Sequence, residues 1–180
     1  MRLAALAIVP LLIAGCGSDA PSPLERHQME RDGTAALADD TVILRGQGLA
    51  IGKNAFAFSA DQERLVAALE AVLGSPQQPM AMDECGAGPM ISVDFPGGLT
   101  VQFQDAAFVG WFLRGDDGEL ATDSNIRIGT PLAELQARSG YAPIADSTLG
   151  EEFAFGERLG GFTEDGAVSA LYAGTQCFFR

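Results

Sequence analysis

The sequence predicts an α+β fold of two tandem units, each a helix followed by about three short antiparallel strands, packed as one domain. Three observations carry this. An extended stretch ending Ile-Gly, then a helical stretch, then glycine and proline, occurs as "GLAIG" (48–52) with "FSADQERLVAALEAVLGSP" (58–76), and again as "NIRIG" (125–129) with "TPLAELQARSGYAP" (130–143). Each helix is followed by alternating apolar and polar stretches bounded by glycine turns. The 180 residues, 47% of them hydrophobic, suffice for one domain with a real core.

Arg2 and the apolar run "LAALAIVPLLIA" (3–14) read as a secretory signal peptide over residues 1–15. The run is shorter than the roughly 20 residues of a spanning helix, and Pro10 interrupts it. Its end, Ile13-Ala14-Gly15-Cys16, resembles the lipobox of bacterial lipoproteins. That resemblance implies cleavage before Cys16 and lipidation of its thiol, palmitate being one such chain. Each buried methylene contributes roughly 0.8 kcal/mol, so a multiply acylated cysteine anchors stably. Gly17 and Ser18, with no aspartate after the cysteine, lean toward the outer membrane. The expected location is the bacterial cell envelope, lipid-anchored and facing the periplasm. The alternative is an ordinary signal that leaves Cys16 free or paired.

Residues 16–40 form the lipidated cysteine and a flexible tether, rich in Pro, Ser and charge. Residues 41–180 are the exported domain, with units of about 41–121 and 122–180. In the first helix Ser59 is the expected N-cap with Gln62 three residues on; Leu65, Leu69, Val72 and Leu73 form the apolar stripe, and Gly74 with Pro76 ends it. In the second, Thr130 caps, Pro131 takes the first helical position and Gly140 closes. The expected strands are "MISVDF" (90–95), "LTVQFQ" (99–104) and "AFVGWFLRG" (107–115), then "EEFAFG" (151–156), "LGGFTED" (159–165) and "AVSALYAG" (167–174). "PGG" (96–98) reads as a hairpin connection.

Over roughly residues 48 to 180, this element order resembles the tandem helix-plus-sheet units of the β-lactamase inhibitory proteins and of small outer-membrane assembly lipoproteins. The resemblance implies a non-catalytic binding scaffold and carries over no functional residue. The loop "QQPMAMDECGAGP" (77–89) and the irregular second sheet depart from it.

With Cys16 acylated, Cys85 and Cys177 remain, and two cysteines in an oxidising compartment are expected to pair. Their disulfide would close a loop of roughly 90 residues and stabilise by about 4 kcal/mol in the chain-entropy model. A redox thiol is disfavoured: Asp83 and Glu84 flank Cys85, and there is no C-x-x-C.

Twenty-four acidic against eleven basic residues give a net charge of −13, so nucleic acid is a poor partner. Attachment to an anionic lipid surface must then come from the lipid on Cys16 rather than from charge. The only histidine, His27, lies in the tether, which removes a Ser-His-Asp or Cys-His site and a usual zinc site. The glycines of "GQGLAIG" miss the dinucleotide spacing, and "GDDGEL" (115–120) lacks the spaced ligands of a calcium loop. No cofactor or metal is expected. Asp94, Asp105, Glu151 and Glu152 are the acids that would serve a hydrolase.

"AFVGWFLRG" is apolar on both faces, with Phe108, Gly110 and Phe112 on one and Val109, Trp111 and Leu113 on the other. A sheet covered on one side should alternate. Burial of both faces is favoured because large side chains mostly serve cores. The alternative is a partner-binding patch centred on Trp111 with Arg114 at its rim. The functional expectation is an envelope lipoprotein whose domain binds another protein, or serves structurally, without catalysis; the alternative is a carboxylate-based envelope hydrolase.

Overall fold

The computed structural model describes residues 40–115 and 119–178. The signal peptide, Cys16 and all of the tether before Asp40 lie outside the described residues. Within that range the chain is mostly β, with two short helices, α1 (Gln62–Leu73) and α2 (Leu132–Gln136). A four-stranded sheet holds β1 (Val42–Arg45), β2 (Gly48–Ile51), β3 (Asn54–Ala57) and β8 (Ala121–Thr122), in the order β3-β2-β1-β8 with β8 parallel to β1. An antiparallel sheet of eight strands holds β4 (Met80–Met82), β5 (Met90–Phe95), β6 (Leu99–Gln104), β7 (Ala107–Arg114), β9 (Tyr141–Pro143), β10 (Glu151–Phe155), β11 (Leu159–Glu164) and β12 (Ala167–Gly174). Their order is β4-β5-β6-β7-β12-β11-β10-β9.

The α+β expectation therefore holds only coarsely, and the arrangement is not two helix-plus-three-strand units. The six expected strands form, and Phe95 pairs with Leu99 across the Pro96–Gly98 turn. Each helix, however, is followed by four strands of the large sheet, because β4 and β9 add one at either edge of a single continuous sheet. Three residues are too few for a period-two pattern to show. "NIRIG" is not a strand: Asn125 has a φ of 56°, and Thr122 Oγ1 accepts from the Ile126 amide at 3.0 Å, folding the segment into a turn.

The helix starts also move. Asp61, not Ser59, caps α1: its Oδ1 accepts from the Arg64 amide at 3.0 Å, while Ser59 has a φ of 81°. Pro131 occupies the N-cap of α2, and Thr130 Oγ1 accepts instead from the Arg127 amide at 3.1 Å. Gly74, with a φ of 93°, ends α1 as expected.

One apolar cluster joins the layers. Leu65 and Leu69 of α1, Leu135 of α2, and Leu44, Leu49 and Phe56 of the small sheet pack with Val93, Leu99, Val101, Phe103, Phe108, Trp111, Leu113, Phe153 and Leu171 of the large sheet. Helices and small sheet thus cover one face of the eight-stranded sheet. The two-faced pattern of β7 is explained by a bulge. Gln102 pairs with Gly110 but Phe103 with Phe108, leaving Val109 unpaired, so Phe108 joins Trp111 and Leu113 on the covered face. In β12, Phe162 pairs with Ala170 but Thr163 with Val168, leaving Ser169 unpaired, and Val168, Leu171 and Ala173 all become buried.

Candidate functional site

The second face of the large sheet is built by side chains two residues apart on neighbouring strands. Phe112 pairs with Thr100 on one side and Tyr172 on the other, and Tyr172 pairs with Gly160. Arg114 pairs with Ala170, Ala170 with Phe162, and Phe162 with Glu152. Glycine at 160 is a spatial requirement, since a Cβ there would stand 2.2 Å from Tyr172 Cζ. With that space free the phenol lies flat over β11 and its hydroxyl donates to Glu152 Oε1 at 2.5 Å. Ser147 Oγ donates to the other carboxylate oxygen at 2.6 Å, so the buried Glu152 is held from both sides.

Across this face runs the C-terminal segment 175–178. The Thr175 amide donates to Val109 O at 2.8 Å, and Gln176 Nε2 donates to Trp111 O and Ala173 O at 3.0 and 2.9 Å. Phe178 then stands edge-on to Tyr172, Phe162 and Phe112, with ring centroids 5.1, 5.7 and 6.3 Å away. Such edge-to-face pairs contribute about 0.5–1.5 kcal/mol each beyond area burial. Two open troughs flank the segment. One of about 730 Å³ is lined by Ile128, Leu149, Phe162 and Ser169; the other, of about 680 Å³, by Met80, Ser92, Asp94, Thr100 and Gln102. Phe112, Arg114 and Phe178 border both.

Of the residues singled out from sequence, Trp111 is fully buried on the opposite, core face, where its indole N–H donates to Arg45 O at 2.8 Å and ties the two sheets together. Arg114 is exposed at the end of β7, on the same face as Phe112. Trp111 is therefore no part of an exposed patch; Phe112, the next residue on the strand, is the half-buried ring on the second face. Cys85 and Cys177 come together: Cys85 is buried, Cys177 is partly exposed, and the two sulfurs are near each other but beyond disulfide distance. Desolvation, then the hydrogen bond and charge of Cys85, push the Cys177 thiol from 9.0 up to about 11, against a smaller lowering by the Gly86 backbone. Cys16 and His27 lie outside the described residues.

The four acids do not converge. Asp94 on β5 accepts from Thr100 Oγ1 at 2.6 Å, Asp105 sits in the β6–β7 turn, and Glu151 accepts from Thr163 Oγ1 at 3.1 Å. Five strand spacings separate Asp94 from Glu152, about 24 Å, well beyond the roughly 5–9.5 Å at which two carboxylates act on one glycosidic bond. Among the described residues no three His, Cys, Asp or Glu side chains group as a metal site, and no helix is long and apolar enough to cross a membrane.

Sequence reasoning named Phe112 only as part of a pattern, and missed Tyr172, Phe162, Phe178 and the buried Glu152 as a group. The signal was there in part: "LGGF" (159–162) supplies the flat seat and one ring, but which strand lies opposite it is a property of topology. Compared with known proteins, the chain matches no family model, no curated protein and no solved structure at a significant level.

Proposed function

We propose that this chain is a lipid-anchored envelope protein whose domain binds another envelope protein, without catalysis, through the second face of its eight-stranded sheet. The observation that carries the reading is the aromatic group Phe112, Phe162 and Tyr172, on which the ring of Phe178 is seated, between two open troughs with Arg114 at the border. Aromatic residues and arginine are the types that dominate protein interfaces, and the opposite face is already committed to the core. What fits is indicated by the segment the chain itself seats there: an extended stretch presenting one aromatic ring edge-on, with backbone groups held by strand ends. The partner we infer presents a segment of that kind. Lipid attachment through Cys16 would keep the face within reach of the membrane, with residues 17–40 as the tether.

A photo-crosslinking side chain placed at Arg114 in intact cells tests this, with the same group at Glu63 on the exposed side of α1 as the control. The expected result is one discrete adduct from position 114, lost on Phe112→Ala or Phe162→Ala while the thermal midpoint of the purified domain falls by no more than about 3–6 °C. Equal adducts from both positions, or an adduct indifferent to both substitutions, would refute the reading.

A further inference from the structure

We propose that the C-terminal segment 175–178 is a redox-latched strap: joined as a disulfide, Cys85 and Cys177 hold it down over the sheet face, and as a dithiol they let it lift. The inference rests on the preceding reading of that face as a docking surface. It adds that access to the face is controlled.

The geometry supplies both halves of a two-position device. The seat is specific. Gly110 lies beneath the strap, and a Cβ there would stand 2.2 Å from Thr175 O; Gly174, with a φ of 76°, turns the chain off the end of β12. The seat is also incomplete. Gln102 Oε1 and Gln176 Oε1, both buried on this face, have no hydrogen-bond partner among the described residues. A buried polar atom left unpaired costs about 1–3 kcal/mol, and water reaches both once the strap rises. Hydration of these two oxygens on lifting therefore offsets part of what is lost in the aromatic contacts of Phe178 and the hydrogen bonds of Thr175 and Gln176.

The latch stands at the right place. Cys177 belongs to the strap, whereas Cys85 belongs to the segment between β4 and β5, anchored by Gln104 Nε2 donating to Ala87 O at 2.9 Å and by the Gly88 amide donating to Cys85 O at 2.9 Å. Closing the bond moves two sulfurs already near each other to about 2.05 Å. The chemistry balances by thiol–disulfide exchange. A Cys thiolate attacks an oxidised dithiol donor of the envelope, a mixed disulfide forms, and the second thiolate displaces the donor. Two protons and two electrons leave the pair, and the donor is reduced to its dithiol.

Carboxypeptidase release of the residues through Phe178 reads the strap directly and needs no partner. Cleavage follows the lifted population. The exported domain, treated with oxidised glutathione, is expected to lose both thiols without dimerising and to release Phe178 about tenfold more slowly than the reduced domain. Cys85→Ser is expected to release at the reduced rate with or without oxidant. Gly110→Ala, which crowds Thr175, is expected to release faster than the parent under reducing conditions. Equal rates in both redox states overturn the proposal, as does oxidant treatment that leaves both thiols free or couples only separate chains. A latch that works while the position-114 adduct fails to form would sink the docking reading and leave the strap standing.

Discussion

Trp111→Ala and Phe112→Ala alter adjacent residues on opposite faces of one strand, and the fold assigns them opposite consequences. Trp111 is fully buried among Leu44, Val101 and Leu113 in the core cluster, and its indole N–H occupies Arg45 O. Truncating a buried Trp to Ala costs about 3–5 kcal/mol in lost transfer free energy and cavity. Loss of the hydrogen bond to the Arg45 carbonyl adds about 1 kcal/mol. Set against about 5–15 kcal/mol for a whole domain, this removes about a quarter or more of the stability. At about 3 °C per kcal/mol for a domain of this size, the midpoint should fall by about 12–18 °C. Phe112 is only half-buried and loses contacts on one side, so its truncation should cost about 1–2 kcal/mol. Urea and thermal melts followed by far-ultraviolet circular dichroism, with the urea slope checked for constancy, measure both. Equal losses from the two substitutions, or a Trp111→Ala midpoint within 3 °C of the parent's, would refute the assignment of faces and with it the bulge at Val109.

Asp61→Ala should destabilise by about 1 kcal/mol through loss of the α1 cap, whereas Ser59→Gly should stabilise by up to about 1 kcal/mol by relieving a left-handed backbone, both read from chemical melts. Gly160→Ala should displace the Tyr172 ring and break its bond to Glu152, visible as a shifted tyrosine absorbance in difference spectra; an unchanged spectrum would contradict the seat described here. Because the folded-state pKa of Cys177 lies near 11 and its usual value is 9.0, the thiol is protonated in both states below pH 9 and contributes nothing there. Between about pH 9 and 11 the unfolded chain releases a proton that the folded chain keeps, so stability should fall as pH rises through that window, and Cys177→Ser should abolish that part of the loss. At pH 8 the same shift should slow alkylation of Cys177 by about tenfold relative to an ordinary thiol, the smaller thiolate fraction being partly offset by the greater nucleophilicity of a more basic thiolate, as read by intact mass.

Where apolar alternation ran over six residues or more, strand and face were legible: Leu99, Val101 and Phe103 of β6 are all buried, as their spacing requires. Val93 and Phe95 of β5 follow the same rule, and Ile91, at the edge beside β4, is 38% exposed. Short elements were not legible, because β4, β8 and β9 have two or three residues each and draw their stability from the neighbour they pair with. The caps of both helices were misplaced for a related reason. Ser59 and Asp61 are both acceptable caps by side-chain chemistry, and the choice falls on Asp61 because Ser59 N and Phe108 N exchange bonds with Phe108 O and Ala60 O, which fixes the chain before the helix begins. Among the candidate residues, the proximity of Cys85 and Cys177 was inferable from their number and context; the aromatic face was not, since it depends on which strands meet at the middle of the sheet.

That meeting is where the fold and the proposed function join. β7 and β12 each run eight residues with the same alternation of buried and half-buried positions, and each is bulged at its third residue. The entry to each is alike as well: Ser59 N and Gly129 N donate to Phe108 O and Val168 O, and Gln62 N and Leu132 N to Ala106 O and Gly166 O. Because a bulge reverses which side chains face the core, both strands turn one aromatic, Phe112 or Tyr172, to the second face at the row where they pair. Phe112 comes from the first helix-and-strand set, Tyr172 and Phe162 from the second, and the strap that covers them leaves the end of β12 to reach Cys85 in the first. Neither set alone would hold the ring pair, the two troughs or the thiol pair. A surface assembled at the seam of two similar sets has no counterpart within either one, so the seam, rather than any single motif, is where substitutions should separate binding from stability.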